Sequence, residues 1–332
     1  MNLDLGDTFR TIDGVTYGAR PNAVDPIGGG AGHVQIPKAN HTIASAASVG
    51  ILVDVLNNAV PGDMVYVEGD AIIDLTSLIW VEKLVIGLSE GVTLASDRGR
   101  CGSPGALLYS DALATLPMFR VTGPNARLTG LRIRGPNSER RMDHHARAYG
   151  PGGEGSKYFY RFPTPFGIAC EDDDLEIDNC EISGFSHGVM LHSGSRHNIH
   201  HNFIHHCQYN GLGYGVCLDK AAARIEYNLF DWNRHSIAAT GHPECSYMAR
   251  HNVVLENSLS HCFDMHPFMD GERKIGGKRV EISNNTFLPR INPIYIGAEP
   301  TAGQVVRNNW FVQPSGTAMD RPGNLATVEK VT

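Results

Sequence analysis

No stretch of this chain approaches the roughly 18 consecutive apolar residues of a membrane span, so no membrane partner is expected. No CxxC pair offers a structural zinc site. A nucleophile elbow, a phosphate loop and a dinucleotide fingerprint are all missing. Gly211-Leu-Gly-Tyr-Gly feeds a strand with no helix behind it, and reads as a turn. Positive charge is short: 28 Lys and Arg stand against 35 Asp and Glu, a net −7. That leaves no broad basic surface for phosphates, and nucleic acid is excluded as the main partner. Seven cysteines, an odd number spread widely, make no disulfide framework. Cys170, Cys180, Cys217 and Cys262 fall at strand positions and read as small buried thiols. The opening MNLDLGDTFR lacks the basic and apolar regions of a signal peptide. As written the chain reads as cytoplasmic, or as secreted or periplasmic if a leader has been removed.

What the sequence has in quantity is glycine, 37 residues, and a repeated phrase: apolar, two polar, usually asparagine, one more, apolar. It reads Ile199-His-His-Asn202-Phe-Ile204, Ile225-Glu-Tyr-Asn228-Leu-Phe230 and Ala249-Arg-His-Asn252-Val-Val254. It returns at Ile282-Ser-Asn-Asn285-Thr-Phe287 and Val306-Arg-Asn-Asn309-Trp-Phe311. Looser copies start at Leu128 and Ile177. From Cys180 through these asparagines to Asn309 the intervals are 22, 26, 24, 33 and 24 residues. A period in the low twenties built on short alternating strands is a solenoid. Leucine-rich spacing is absent, and the coils are half the length of a propeller blade. The expected fold is therefore all-β: a single-domain right-handed parallel β-helix with an N-terminal capping helix.

Residues 1–40 show no period and read as an N-terminal extension. The β-helix spans 41–312, with a tail at 313–332. Helical spacing in IASAASVGILVDVLNN, residues 43–58, predicts the cap. Strands are expected at Met64–Val67, Ala71–Leu75 and Leu84–Ile86. Two polar insertions interrupt the coils, at 135–165 and 267–279, where a solenoid commonly builds its binding face. The recurring asparagine is expected to bond its counterparts one coil away and to occupy a left-handed turn.

With the phrase as register, the following strands stack: Phe166–Cys170, His187–Leu191, Tyr214–Leu218, His235–Ala239 and His261–Met265. The column Ile168, Val189, Val216, Ile237, Phe263, Ile294 is apolar and must face inward. Flanking columns carry Tyr214, His235 and His261, and Glu171, His192, Asp219, Thr240 and His266. Asp264 and Tyr295 lie between them, all facing out toward solvent. Asp231 and Arg234 are placed on the turn before His235. The strip offers imidazoles and a phenol for acid–base work, carboxylates, and a fixed cation. The catalytic candidates are His266, Asp264, His235, Arg234, His261 and Tyr214. Substrate-binding candidates are Asp219, Asp231, His192, Arg140, Arg141, Lys274 and Lys278, the basic ones forming a rim that steers an anionic chain. No cofactor is certain, and calcium is possible. Glu171, Asp172 and Asp219 are candidate oxygen ligands for calcium, although a charged turn explains the run equally well.

These repeats resemble the parallel β-helix repeats of pectate- and alginate-type polysaccharide lyases, uronan C5-epimerases and several glycoside hydrolases. Cys262-Phe-Asp264-Met-His266 is similar to the Gly-Phe-Asp-Pro-His stretch of alginate C5-epimerases, whose Asp and His belong to the active site. Here His261 stands where that family has a tyrosine, and Met265 replaces its proline. The resemblance implies an enzyme on a uronic-acid polysaccharide, acting by β-elimination. Arg234 or a cation would neutralise the carboxylate, His266 or His235 would take the C5 proton, and Tyr214 or His261 would protonate O4. Epimerisation shares such a site. A glycoside hydrolase or glycosyl transferase would instead need an Asp pair, Asp219 and Asp264. A non-catalytic glycan-binding β-helix would need neither.

Overall fold

The computed structural model describes residues 8–35, 41–43, 49–137, 139, 142–311 and 319–320, and the architecture is that of those residues. Each coil of the chain visits three faces in turn, and every face is a ladder of parallel strands. One face runs from His41–Ile43 and Met64–Val67 through Glu176–Asp178 and Ser246–Arg250 to Gln304–Arg307. A second runs from Ile72–Asp74 through Phe203–His205 and Leu229–Asp231 to Trp310–Phe311. The third carries Ile86–Leu88, Phe119–Val121, Phe166–Cys170, His235–Ala239, Phe263–Met265 and Ile294–Ile296. His187–His200 and Tyr214–Glu226 are long enough to pass from the third face into the first. The connection between parallel strands is right-handed, and the fold is a right-handed parallel β-helix.

The interior is filled by apolar side chains. Ile168, Val189, Val216, Ile237, Phe263 and Ile294 are all fully buried, as the apolar column requires. The helix Val49–Asn58 turns Leu52 and Leu56 onto the core and closes the open end. The strand expected at Leu84–Ile86 begins two residues later, at Ile86–Leu88. A π-helical turn at Leu78–Glu82 and a left-handed Lys83 take up the chain first.

The corner between first and second faces is the asparagine ladder. Asn202, Asn228, Asn252 and Asn285 each accept, on Oδ1, the backbone N–H of the preceding coil at 2.9–3.0 Å. Their Nδ2 atoms donate on to carbonyls such as Ile177 and Ile199, and all four are fully buried. The left-handed conformation belongs to the residue before the ladder position instead. His201, Tyr227, His251 and Asn284 have φ of 52–55°. The reason is geometric: the ladder side chain must point inward from a continuing strand, so the bend is taken one residue earlier. The bent residues then point outward and stack, His201 on Tyr227 at 4.9 Å and Tyr227 on His251 at 5.0 Å.

Residues 8–35 lie along this corner as a strap. Gly18 donates to the Asn308 carbonyl, Gly28 to that of Tyr227, and Gly30 to Asn179 Oδ1. Ala19 and Ile27 bury themselves against Leu229 and Val253. The insertions do have structure of their own. The first contains helices Met142–Tyr149 and Ser156–Phe159, and the second an antiparallel hairpin, Phe268–Asp270 with Arg273–Ile275. One enters the third face and the other leaves it, so both flank the same surface.

Candidate active site

The register places the polar columns as the repeat required. Tyr214 pairs with His235 across one coil, Ala238 with Asp264, and Asp264 with Tyr295. Small residues at Cys217 and Ala238 leave room beside Asp264, where a larger side chain would fill the floor. A continuous stack of rings climbs this face. His187 lies 4.8 Å from Tyr214, Tyr214 is parallel to His235 at 5.6 Å, and His235 lies over His261 at 6.2 Å. His261 in turn stacks on Tyr295 at 4.8 Å.

Asp264 is the centre. Its Oδ2 lies 3.2 Å from His266 Nε2, 3.5 Å from His235 Nε2 and 3.9 Å from His261 Nδ1. Burial alone would raise this carboxyl, but the imidazoles of His261, His266 and His235 outweigh it and hold the group far below the usual range. His235 is pushed the other way, down to about 3, by burial and then by the neighbouring Arg234. Its Nδ1 lies 2.5 Å from the His261 carbonyl. A carbonyl only accepts, so Nδ1 carries a proton, and Nε2 is the nitrogen turned toward Asp264. His235 Nε2 and Asp264 Oδ1 are buried and make no hydrogen bond.

The strip is not the open ridge the sequence suggests. His235 and Asp264 are 1% and 2% exposed, whereas the His261 and His266 side chains keep 30% and 41%. Two residues form a buried floor and two a reachable rim. The first insertion supplies part of the cover. Its Ala148, Tyr158 and Phe159 pack on Leu212 and Tyr214, and its Tyr149 ring lies 4.6 Å under the Arg234 guanidinium. Arg234 also lies 5.8 Å from the Tyr214 ring, and its Nε and Nη1 are buried without a hydrogen bond. Burial pushes the Tyr214 phenol well above its ordinary range, so it keeps its proton.

Other candidates fall outside this centre. Asp231 ends a strand on the second face and binds the Asn257 backbone and amide at 3.3 and 3.2 Å, so it is a corner clamp. Asp219 accepts the Thr240 hydroxyl at 3.0 Å. Half-buried His192 lies 6.3 Å from Phe166, down the groove. Lys274 and Lys278 are exposed on the second insertion; Arg140 and Arg141 lie outside the described residues. Glu171, Asp172 and Asp219 do not meet in either of the ligand clusters found among the described residues. Asp173 and Asp174 of the same run clasp Arg196 at 3.1 and 2.5 Å. Those two residues of the run thus anchor a charged turn. One site residue, Tyr149, escapes sequence reasoning. It sits in an insertion without period, whereas Tyr295 is visible as a column neighbour of Asp264.

A second buried carboxylate, Asp178, faces the strap. Arg127 grips it with Nε and Nη2 at 2.8 and 2.9 Å, Thr129 donates at 2.8 Å, and His33 approaches at 3.7 Å. Burial would raise it; His33 and Arg127 pull it down to about 2.

Residues 156–259 match a family model described as the right-handed β-helix region. No curated protein sequence matches the chain. Among solved structures the chain is similar to an alginate lyase from Paenibacillus sp. str. FPU-7. The two share 16% identity and a TM-score of 0.52, over 87% of this chain and all of that one. It is also similar to the Dettilon tailspike protein, with 13% identity and a TM-score of 0.48 over 82% of this chain, which spans about half (53%) of the tailspike. At these identities the likeness is one of fold, and the chain is built as a right-handed parallel β-helix.

Proposed function

We propose that this protein is a polysaccharide lyase that cleaves a uronic-acid-containing chain by β-elimination at the third face. The carrying observation is the convergence of His235, His261 and His266 on buried Asp264, next to an Arg234 guanidinium with unused donors. The solved alginate lyase with the same fold supports the substrate class. A C5 proton next to a carboxylate becomes acidic only when that carboxylate is neutralised, which a preorganised guanidinium does without reorganisation. His266, on the rim, takes the C5 proton. The C4–C5 double bond forms as the C4–O4 bond breaks, and Tyr214 gives its proton to O4. His235 and Asp264 act from below by fixing the imidazoles. Exposed Lys274 and Lys278 attract the anionic polymer to the groove.

Incubation with a panel of uronic-acid polymers, followed by ultraviolet absorbance, tests the proposal. Rising absorbance from an unsaturated product is expected. New reducing ends without absorbance would point to hydrolysis. Solvent deuterium entering C5 with no chain cleavage would point to epimerisation, and binding without turnover to a lectin-like role.

A further inference from the structure

The floor beneath the rim holds buried polar atoms without hydrogen-bond partners. His235 turns Nε2 toward Asp264 Oδ2, 3.5 Å away, without making a hydrogen bond. Buried polar atoms left without partners are costly, and a ligand seated between them would remove that cost. Both His235 Nε2 and Asp264 Oδ1 lack any hydrogen bond, in a residue pair 1% and 2% exposed. His261 closes the third side, and the ligand atoms of His235, His261 and Asp264 all lie within 4.8 Å of one another.

We propose that His235, His261 and Asp264 form a binding site for a divalent transition-metal ion of the zinc type. Bonds of about 2.0–2.2 Å from nitrogen and oxygen place tetrahedral ligand atoms roughly 3.3–3.5 Å apart. The spacings from Asp264 to His235 and His261 are 3.5 and 3.9 Å, so little rearrangement is needed. Two imidazoles and one carboxylate suit zinc, cobalt or manganese, whereas calcium and magnesium prefer oxygen cages. The His261 carbonyl that holds the His235 Nδ1 proton is the outer partner that a metal-binding imidazole ordinarily has, fixing the tautomer. Three protein ligands leave a fourth position open toward the rim, where half-exposed His266 stands.

The Glu176, Asp178 and His200 group provides an internal control. It is made of one imidazole and two carboxylates, but both Asp178 oxygens are already taken by Arg127 and Thr129, and Glu176 Oε1 lies 3.0 Å from His200. The proposal therefore requires one site per chain, at Asp264. Binding does not depend on the lyase reading. The further role does rest on it: the open position would receive the substrate carboxylate and reinforce Arg234.

The test is titration of tag-free, chelator-treated protein with zinc by calorimetry and with cobalt by visible absorption. One equivalent should bind, with a cobalt spectrum of low-symmetry nitrogen–oxygen ligation. Asp264→Asn and His235→Ala should weaken binding by at least about 100-fold, beyond the usual effect of losing an outer partner. The rim variant His261→Gln provides a third reading if a floor variant fails to fold. His200→Ala should keep the full equivalent. Absence of binding to the wild-type chain would overturn the proposal, as would binding that survives in folded Asp264→Asn and disappears in His200→Ala. Zinc binding without turnover of any uronan would leave the site standing and remove the lyase reading.

Discussion

Two aspartates, both buried outside the apolar core and both beside imidazoles, end in opposite states. Asp178 has every oxygen engaged: a bidentate arginine, a threonine hydroxyl and a histidine from the strap. Asp264 has one oxygen idle and the other facing three imidazoles at 3.2–3.9 Å. A satisfied buried charge holds structure together; an unsatisfied one in a cleft is held in readiness for something absent. The contrast also separates strap from groove. His33 ties residues 8–35 to Asp178 at the closed corner, while the insertions leave the His261 and His266 rim within reach of solvent.

The largest expected effect is on turnover. His266→Ala should lower the rate of unsaturated-product formation by about 10²–10⁴-fold, the usual weight of general acid–base catalysis, with circular dichroism unchanged. On the other side of the comparison, Arg127→Met strips Asp178 of its guanidinium and leaves only Thr129 and His33 beside the buried charge. Unfolding in urea should show a loss of about 3–5 kcal/mol, with product formation per folded molecule unaltered.

Acid should act on the Asp178 clamp as well. Asp178 titrates at about 2 when folded, below its unfolded value. Its contribution is then complete above about pH 4 and fades as pH falls toward 2, amounting to about 2 kcal/mol. Urea melts of wild type and Asp178→Asn should differ at pH 7 and converge near pH 2. A gap that widens in acid would reverse the sign of this account. The smallest effect belongs to the rim. Replacing Lys274 and Lys278 by glutamine should raise KM a few-fold at low salt and leave kcat alone, a difference that added salt erases.

The repeat made much of this legible from residues alone. A period-two phrase with asparagine fixes both inward column and register, and so brings Tyr214, His235, His261 and Asp264 to one face before any coordinates exist. It misplaces the left-handed bend by one residue, onto Asn202 rather than His201, because the phrase marks the ladder and not the dihedral. Asp231 was drawn into the site by its nearness in sequence to His235, yet a corner separates their faces. The strap and the first insertion have no period, so His33 meeting Asp178 and Tyr149 covering Arg234 depend on contacts far apart in the chain. Burial of His235 and Asp264 was hidden for the same reason: the cover comes from segments with no register to read.

Paired substitutions address the central claim most directly. Asp264→Asn and Asp178→Asn each replace a carboxylate by its isosteric amide, and both variants can be assayed for uronan-derived ultraviolet absorbance and for melting. The account requires Asp264→Asn to lose at least about 10²-fold in rate per folded molecule, and Asp178→Asn to lose stability while keeping the wild-type rate per folded molecule. A folded Asp264→Asn protein that turns over polymer at the wild-type rate would contradict it.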